Sequence, residues 1–385
     1  MNVTNSSSRG PYNLVLTGGG TAGHVWPHFA VVEDPLSPLA AAVQSGAVRV
    51  FYFGSEKGIE KEIVSTSGRP WTFVGISTGK LRRYFSWQNF TDPFRVLAGF
   101  AQAYFGLGRV NASCVLSKGG FVAAPVVWAA WLRGIPIVIH ESDATPALAT
   151  KLTLPFASRA LITFQETAQL LPARFRSRIL PMGLPMRSTL FTSDRSAALT
   201  YFKFDPARKT LLIFGGSLGA DALNKRMAEA LPELGTRYNI LHIVGKGKGF
   251  ALEAGPFYRQ YEFLKDEMSL AYAATDLAVC RAGASSLFEL AAARIPMILV
   301  PLGLHQSRGD QIVNAKLFQK KGWCEWVEEL QLDRLKALTL VDSAMGQLAQ
   351  RQKALETAPR PDAAAKTGSL VLEFMERYVT TQKSR

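Results

Sequence analysis

Short apolar runs recur along the chain, most ending in a glycine turn and leading into a stretch whose apolar positions return every three or four residues. That alternation predicts a parallel sheet covered by helices, the α/β class. In the first half the predicted strands are Asn13–Thr17, Val48–Gly54, Cys114–Ser117, Ile135–His140 and Ala160–Thr163. A second series, Thr210–Phe214, Asn239–Val244, Leu277–Cys280 and Met297–Val300, follows the connector LPMGLPMRSTLF. Pro181 and Pro185 disfavour helix at the residues before them, so the chain is expected to divide there, into 1–184 and 185–361. Two such halves are expected to leave a cleft between the carboxyl ends of their sheets, where folds of this kind bind ligands. Pro35 and Pro38 in EDPLSPLAA interrupt the first helix, and the segment from Asp362 to about Tyr378 reads as one helix with a long apolar face.

The chain has 385 residues, 48% of them apolar and 19% charged, which is globular composition with material for two or three domains. Cys114, Cys280 and Cys324 form no CxxC pair, which excludes a disulfide framework or a cysteine-based zinc site and fits a reducing compartment. Lys and Arg number 44 against 30 acidic residues, a net +14 that calls for an anionic partner: nucleic acid, a phospholipid surface or a phosphorylated substrate. The polar N-terminus lacks the apolar core of a signal peptide, and no run is long enough to span a bilayer. A soluble or peripheral protein on the cytoplasmic side is expected.

Five motifs carry chemistry. LTGGGTAGHVWP (Leu16–Pro27) is a strand-to-helix turn that brings backbone N–H groups toward negative charge. The same spacing also serves any tight turn. His24 at its mouth either accepts a proton from an attacking hydroxyl or caps the helix. His28 lacks a third ligand, so no metal site is expected, and FYFGSEKG offers no ribose-gripping acid, which disfavours a nicotinamide enzyme. In LSKGGFVAAPVVWAAWLRGIPIVIHESD, one strand delivers His140, Glu141, Ser142 and Asp143 to a sheet edge; Asp143 also reads as an ordinary turn residue. IFGGSLGADALNKRM repeats the turn, with Ser217 able to donate to a diphosphate and no P-loop lysine. VCRAGASSLFELAAARIPMILVPLG opens a helix at a phosphate-accepting N-terminus, with Glu289 suited either to a ribose diol or to the helix dipole. HQSRGDQIVNA supplies Asp310, Gln311 and Asn314, hydroxyl-reading side chains that are also ordinary at a helix start. Separately, Gly79–Arg109 interleaves Lys80, Arg82, Arg83 and Arg95 with Tyr84, Phe85, Trp87 and Phe90, the composition of an interfacial membrane patch.

GGGTAGHV, STGKLRRY, SKGGFV, HESDATPALATK, GGSLGA, CRAGASSLFE and LGLHQSRGDQIVNA, in this order across nearly the whole chain, resemble the MurG family of N-acetylglucosaminyltransferases. The resemblance implies a GT-B fold of two facing Rossmann-like domains, the first completed by a returning C-terminal helix at about 362–385. It implies transfer of N-acetylglucosamine from UDP-N-acetylglucosamine to the C4 hydroxyl of lipid I, with inversion and without a metal or other cofactor. Thr21, Ala22 and Gly23 then fall in the substrate loop, His24 matches the general base (Asp143 and Glu141 being the alternatives), and Asp143 stands where many members carry Asn. Arg187 lies near the donor, Ser217 at its diphosphate, and the Leu264 backbone at uracil. Ala284, Ser285, Ser286, Leu287, Phe288 and Glu289 wrap the nucleotide, and Asp310 and Gln311 read the sugar. Ala22, Leu218 and Asp310 depart from the family's usual Gly, Gln and Gln. The implied partners are the two substrates and an anionic membrane surface, with no nucleic acid; partners among cell-wall and division proteins stay open. Competing expectations are a GT-B transferase for another lipid such as diacylglycerol, and a non-catalytic nucleotide-sugar binder.

Overall fold

The computed structural model describes residues 11–79, 88–216, 220–252, 255–303 and 309–384. It separates into two units, one of Met1–Ser142, Pro146–Arg187 and Asp362–Arg385, the other of Asp143–Thr145 and Ser188–Pro361. The division falls at Arg187, slightly beyond 184, and the tripeptide 143–145 counts with the second unit.

The first unit holds a parallel sheet of β1 (Tyr12–Thr17), β2 (Val48–Ser55), β3 (Thr72–Ile76), β4 (Cys114–Ser117), β5 (Ile137–Glu141), β6 (Arg159–Ile162) and β7 (Ile179–Pro181), in the order 3-2-1-4-5-6-7. The second holds β8 (Thr210–Phe214), β9 (Asn239–Ile243), β10 (Tyr258–Tyr261), β11 (Leu277–Cys280), β12 (Met297–Leu299) and β13 (Cys324–Trp326), in the order 10-9-8-11-12-13. Both are Rossmann-like, and each order reverses once, at β1/β4 and at β8/β11. Those are the points where such sheets open a ligand crevice.

Central strands are buried on both faces, which is why they read as unbroken apolar runs. Val15, Phe53, Val115 and Ile139 pack on one face of the first sheet, beneath the helices Gln88–Arg109 and Ala123–Leu132. Leu14, Leu16, Tyr52 and Val138 pack on the other, with Phe29 and with Val371 and Met375 from the last helix, Ala363–Lys383. Each such side chain contributes about 1.5–3 kcal/mol on burial. β3, β7, β10 and β13, absent from the sequence reading, are the four edge strands; one flank alone pairs, and their residues are short, half-buried or proline-bearing.

The proline interruption has a packing role. The helix Trp26–Glu33 stops, Asp34 Oδ1 accepts from Leu36 N at 2.9 Å, Ser37 Oγ accepts from Leu39 N at 3.3 Å, and Pro38 opens the helix Pro38–Gln44. The last helix lies on both short helices, and a Cβ at Gly368 would collide with Ser37 Oγ. Among the described residues no helix is long and apolar enough to cross a membrane. Lys80, Arg82, Arg83, Tyr84, Phe85 and Trp87 lie outside the described residues, as does the side chain of Phe90.

Candidate functional site

In the first unit β1 ends at Thr17 and the backbone turns through Gly18, Gly19 and Gly20 into a short 3-10 turn, Ala22–His24. The turn is pressed on two sides. A Cβ at Gly19 would sit 2.5 Å from the carboxylate of Glu60, and one at Gly120 would collide with the Gly19 carbonyl. Glu60 accepts from Ser55 N at 2.9 Å and from Gly20 N at 3.3 Å, while Tyr52 Oη donates to the Gly18 carbonyl at 2.7 Å. Burial, reinforced by the Glu60 charge, pushes the Tyr52 phenol well above its ordinary range. Half-buried His24 has its Nδ1 3.0 Å from Thr21 Oγ1. Ala22 is buried, and Arg187 stacks its guanidinium over Trp26, 5.6 Å from the ring centre.

The polar end of β5 divides its tasks. His140 Nε2 sits 2.9 Å from the Gly183 carbonyl, which can only accept, so Nε2 carries the proton and Nδ1 accepts from Lys118 Nζ at 2.6 Å. Burial first, and the Lys118 ammonium second, hold the His140 pKa well below its usual value. Lys118 also donates to Ser142 Oγ at 2.7 Å. Glu141 accepts from Thr150 Oγ1 at 2.5 Å and from Ala147 N at 2.8 Å, organising the start of the next helix. His28 is fully buried and edge-on to Tyr52; burial, then Lys118 and His24, hold its pKa well down.

The second unit places its candidate residues at the ends of β8, β11 and β12. Gly216 turns the backbone after β8 at φ +85°, toward the helix Asp221–Ala228; Ser217 lies outside the described residues. After β11, Gly283 is the N-cap of the helix Ala284–Ala292 and, as a glycine, offers no side chain to its N-terminal amides. Cβ atoms at Gly216 and Gly283 would meet nothing within 4 Å among the described residues. Ser285 and Ser286 are half-buried, whereas Ala284, Leu287 and Phe288 are core, so those three offer backbone, not side chain. Glu289 is half-buried and accepts from Tyr272 Oη at 2.7 Å. Leu264 is buried in the turn after β10.

Arg281 is not a diphosphate ligand in this arrangement. Its guanidinium pairs with Glu329 at 2.6 Å and donates to the Val300 carbonyl at 2.9 Å. Asp310 is the first residue of the helix Asp310–Lys320, and Gln311 Oε1 accepts from Leu302 N at 3.0 Å, tying that helix to the end of β12. Asn314, fully buried, donates to Asp143 Oδ1 and to the Ala282 carbonyl and accepts from Ala144 N, all at 3.2 Å. Sequence reasoning missed Glu60, Lys118 and Tyr272, and only Lys118 lay inside a flagged motif.

Two parallel sheets of this order with glycine turns at their reversal points define a protein of two Rossmann-like domains. Residues 14–162 match the glycosyltransferase family 28 N-terminal domain and residues 210–367 its C-terminal domain. The chain is 42% identical over 319 residues (83% of this chain, 86% of the relative) to the UDP-N-acetylglucosamine--N-acetylmuramyl-(pentapeptide) pyrophosphoryl-undecaprenol N-acetylglucosamine transferase of Oceanobacillus iheyensis. It is 39% identical over 363 residues (94% and 98%) to the protein of that name from Lachnoclostridium phytofermentans. The crystal structure of Acinetobacter baumannii MurG superposes with a TM-score of 0.72 at 25% identity, covering 94% of this chain and all of that one. The chain belongs to the MurG family of N-acetylglucosaminyltransferases and has the GT-B fold.

Proposed function

We propose that the second unit binds UDP-N-acetylglucosamine, that the first binds lipid I, and that His24 is the general base. The protein is an inverting glycosyltransferase that makes lipid II for peptidoglycan. The acceptor's C4 oxygen bonds to the donor's anomeric carbon as the bond from that carbon to the diphosphate breaks, and the electron pair leaves with UDP. The C4 proton goes to His24. With Nδ1–H donating to Thr21 Oγ1, Nε2 carries the lone pair for this proton. Glu141 and Asp143, the other base candidates, hydrogen-bond to helix-start groups and to Asn314 respectively.

The observation that carries the donor assignment is the helix start after Gly283, a glycine N-cap with no neighbour within 4 Å of its side-chain position among the described residues, and Glu289 held by Tyr272 six residues on. Backbone amides and helix dipole there suit a diphosphate, and the carboxylate suits a ribose diol. We read the departing UDP as stabilised by these amides without a metal ion. Gln311 and Asp310 read the sugar, and Arg187 and the Leu264 backbone contact the donor.

The enzyme works at the cytoplasmic membrane face. Exposed Phe94, Leu97 and Phe105 on one helix, Trp131 and Leu132 on another, and an apolar hollow of about 520 Å³ edged by Lys151 support a lipid-facing surface. Purified protein is expected to release UDP only with both UDP-N-acetylglucosamine and a lipid I analogue, at a rate unchanged by EDTA. Turnover with UDP-glucose and diacylglycerol alone, or loss of activity on chelation, overturns the reading.

A further inference from the structure

We propose that Glu60 is a positioning residue for the transfer reaction: an internal carboxylate that occupies the first glycine loop and thereby sets Thr21 and His24. This rests on His24 acting as described above. A fully buried carboxylate is costly unless its oxygens are satisfied, and among the described residues no Lys or Arg ion-pairs with this one. Its partners are backbone amides instead, Ser55 N on one oxygen and Gly20 N on the other. It also sits in the first turn of the helix Ile59–Ser65, where the dipole favours an anion.

The surrounding glycines are those that make room for it. A Cβ at Gly19 or Gly54 would lie 2.5 or 2.8 Å from Glu60 side-chain atoms, and one at Gly58 closer still. Gly19 belongs to the loop after β1, Gly54 to β2, and Gly58 to the turn before the helix. Three separate backbone segments are thus relieved of side chains around a single carboxylate. A loop that cradles a ligand phosphate leaves its amides for that ligand, whereas here the Gly20 amide is already engaged. The loop then acts as a fixed mount: the next residue, Thr21, pairs with His24 Nδ1, and the Thr21 carbonyl accepts from His24 N at 3.1 Å.

The test is a double-mutant cycle in the full chain, assayed with UDP-N-acetylglucosamine and a lipid I analogue. Glu60→Gln keeps the shape but replaces one acceptor oxygen with a donor; it is expected to lower kcat about tenfold or more, with the donor KM within about twofold. The acid limb of its kcat–pH profile is expected to move to lower pH, because a negative charge has left the loop that holds the imidazole. A purely structural loss scales that profile without moving it. Gly19→Ala is expected to cost about tenfold or more in kcat beside Glu60, but less than about threefold in the Glu60→Ala background, where the new methyl group has room. Full kcat in Glu60→Gln, an unmoved acid limb, or an equal Gly19→Ala cost in both backgrounds overturns the proposal. Should Glu60→Ala not fold, the Gln variant decides alone. His24→Ala separates the two readings: if it stays active the base assignment fails, while the Gly19–Glu60 coupling still reports on the loop.

Discussion

The loops after β1 and β11 are both glycine turns leading from a strand into a helix, yet their glycines do opposite things. In the first unit Gly18, Gly19, Gly20 and Gly120 are pressed by His24, Lys118, Glu60, Phe121 and each other's backbone, with Gly119 the open exception. In the second, side-chain positions at Gly216 and Gly283 meet no described atom within 4 Å. Among the described residues, the loop glycines of one unit are packed against protein and those of the other have no neighbour at their side-chain positions. A glycine motif therefore does not by itself announce a phosphate; what stands where its Cβ would be separates a mount from a cradle.

The comparison breaks most sharply at the two polar residues beside these loops. His24→Ala is expected to lower kcat by about 100-fold or more, the scale of general-base loss, while UDP binding to the second unit is unchanged by calorimetry. Undiminished turnover would make His24 a capping residue. Glu289→Ala is expected to raise the donor KM about tenfold or more with the acceptor KM unmoved, since a hydrogen bond to a charged group is worth about 1.5–3 kcal/mol. Tyr272→Phe, which removes this one hydrogen bond and keeps the carboxylate, should raise the donor KM about threefold. An unchanged donor KM in both variants would take Glu289 off the ribose.

Gly283→Ala sharpens the contrast further. Its backbone, at φ −73° and ψ 136°, accepts any residue, and the added methyl meets no described atom, so the unfolding temperature should hold while the donor KM rises several-fold. A drop in Tm with intact donor affinity would mean the space belongs to the fold.

The smallest expected difference concerns acid. His28 and His140 in the first unit have pKa values held well below 6.5, and His242 in the second is brought down to about 4, in each case chiefly by burial. All three are neutral when folded and take up a proton when unfolded below pH 6.5. Stability is thus complete above that pH and falls as pH drops from 6.5 toward each folded value, by about 1.4 kcal/mol per pH unit per imidazole. Hydrogen exchange between pH 6.5 and 5 should show the first unit losing protection faster than the second. Faster loss in the second unit would mean that His28 and His140 are not held neutral in the folded first unit.

Much of this was legible in the sequence. Strands β1, β2, β4, β8 and β11 announced themselves because two-sided burial keeps their centres apolar, while the edge strands, paired along one side, left no such run. The glycine turns were visible as residues, but their occupants were not. Glu60 lies in the polar string GSEKGIEKE, and only its closeness to three glycines distinguishes it from a solvated helix start. The Arg281–Glu329 ion pair leaves no mark in the sequence because its partners lie 48 residues apart, and Asp143 and Asn314, 171 residues apart, hid each other in the same way. Long-range polar pairing leaves no period along a chain.

The first unit is not continuous in the chain: its last helix, with Val371 and Met375 in the core beside Phe29 and Leu39, is synthesised after the whole of the second unit. On the ribosome, residues 188–361 can therefore complete their sheet while the earlier half still waits with an uncovered apolar face. The helix Ala363–Lys383 closes that face, so the core of the first unit is completed roughly 350 residues after its first strand.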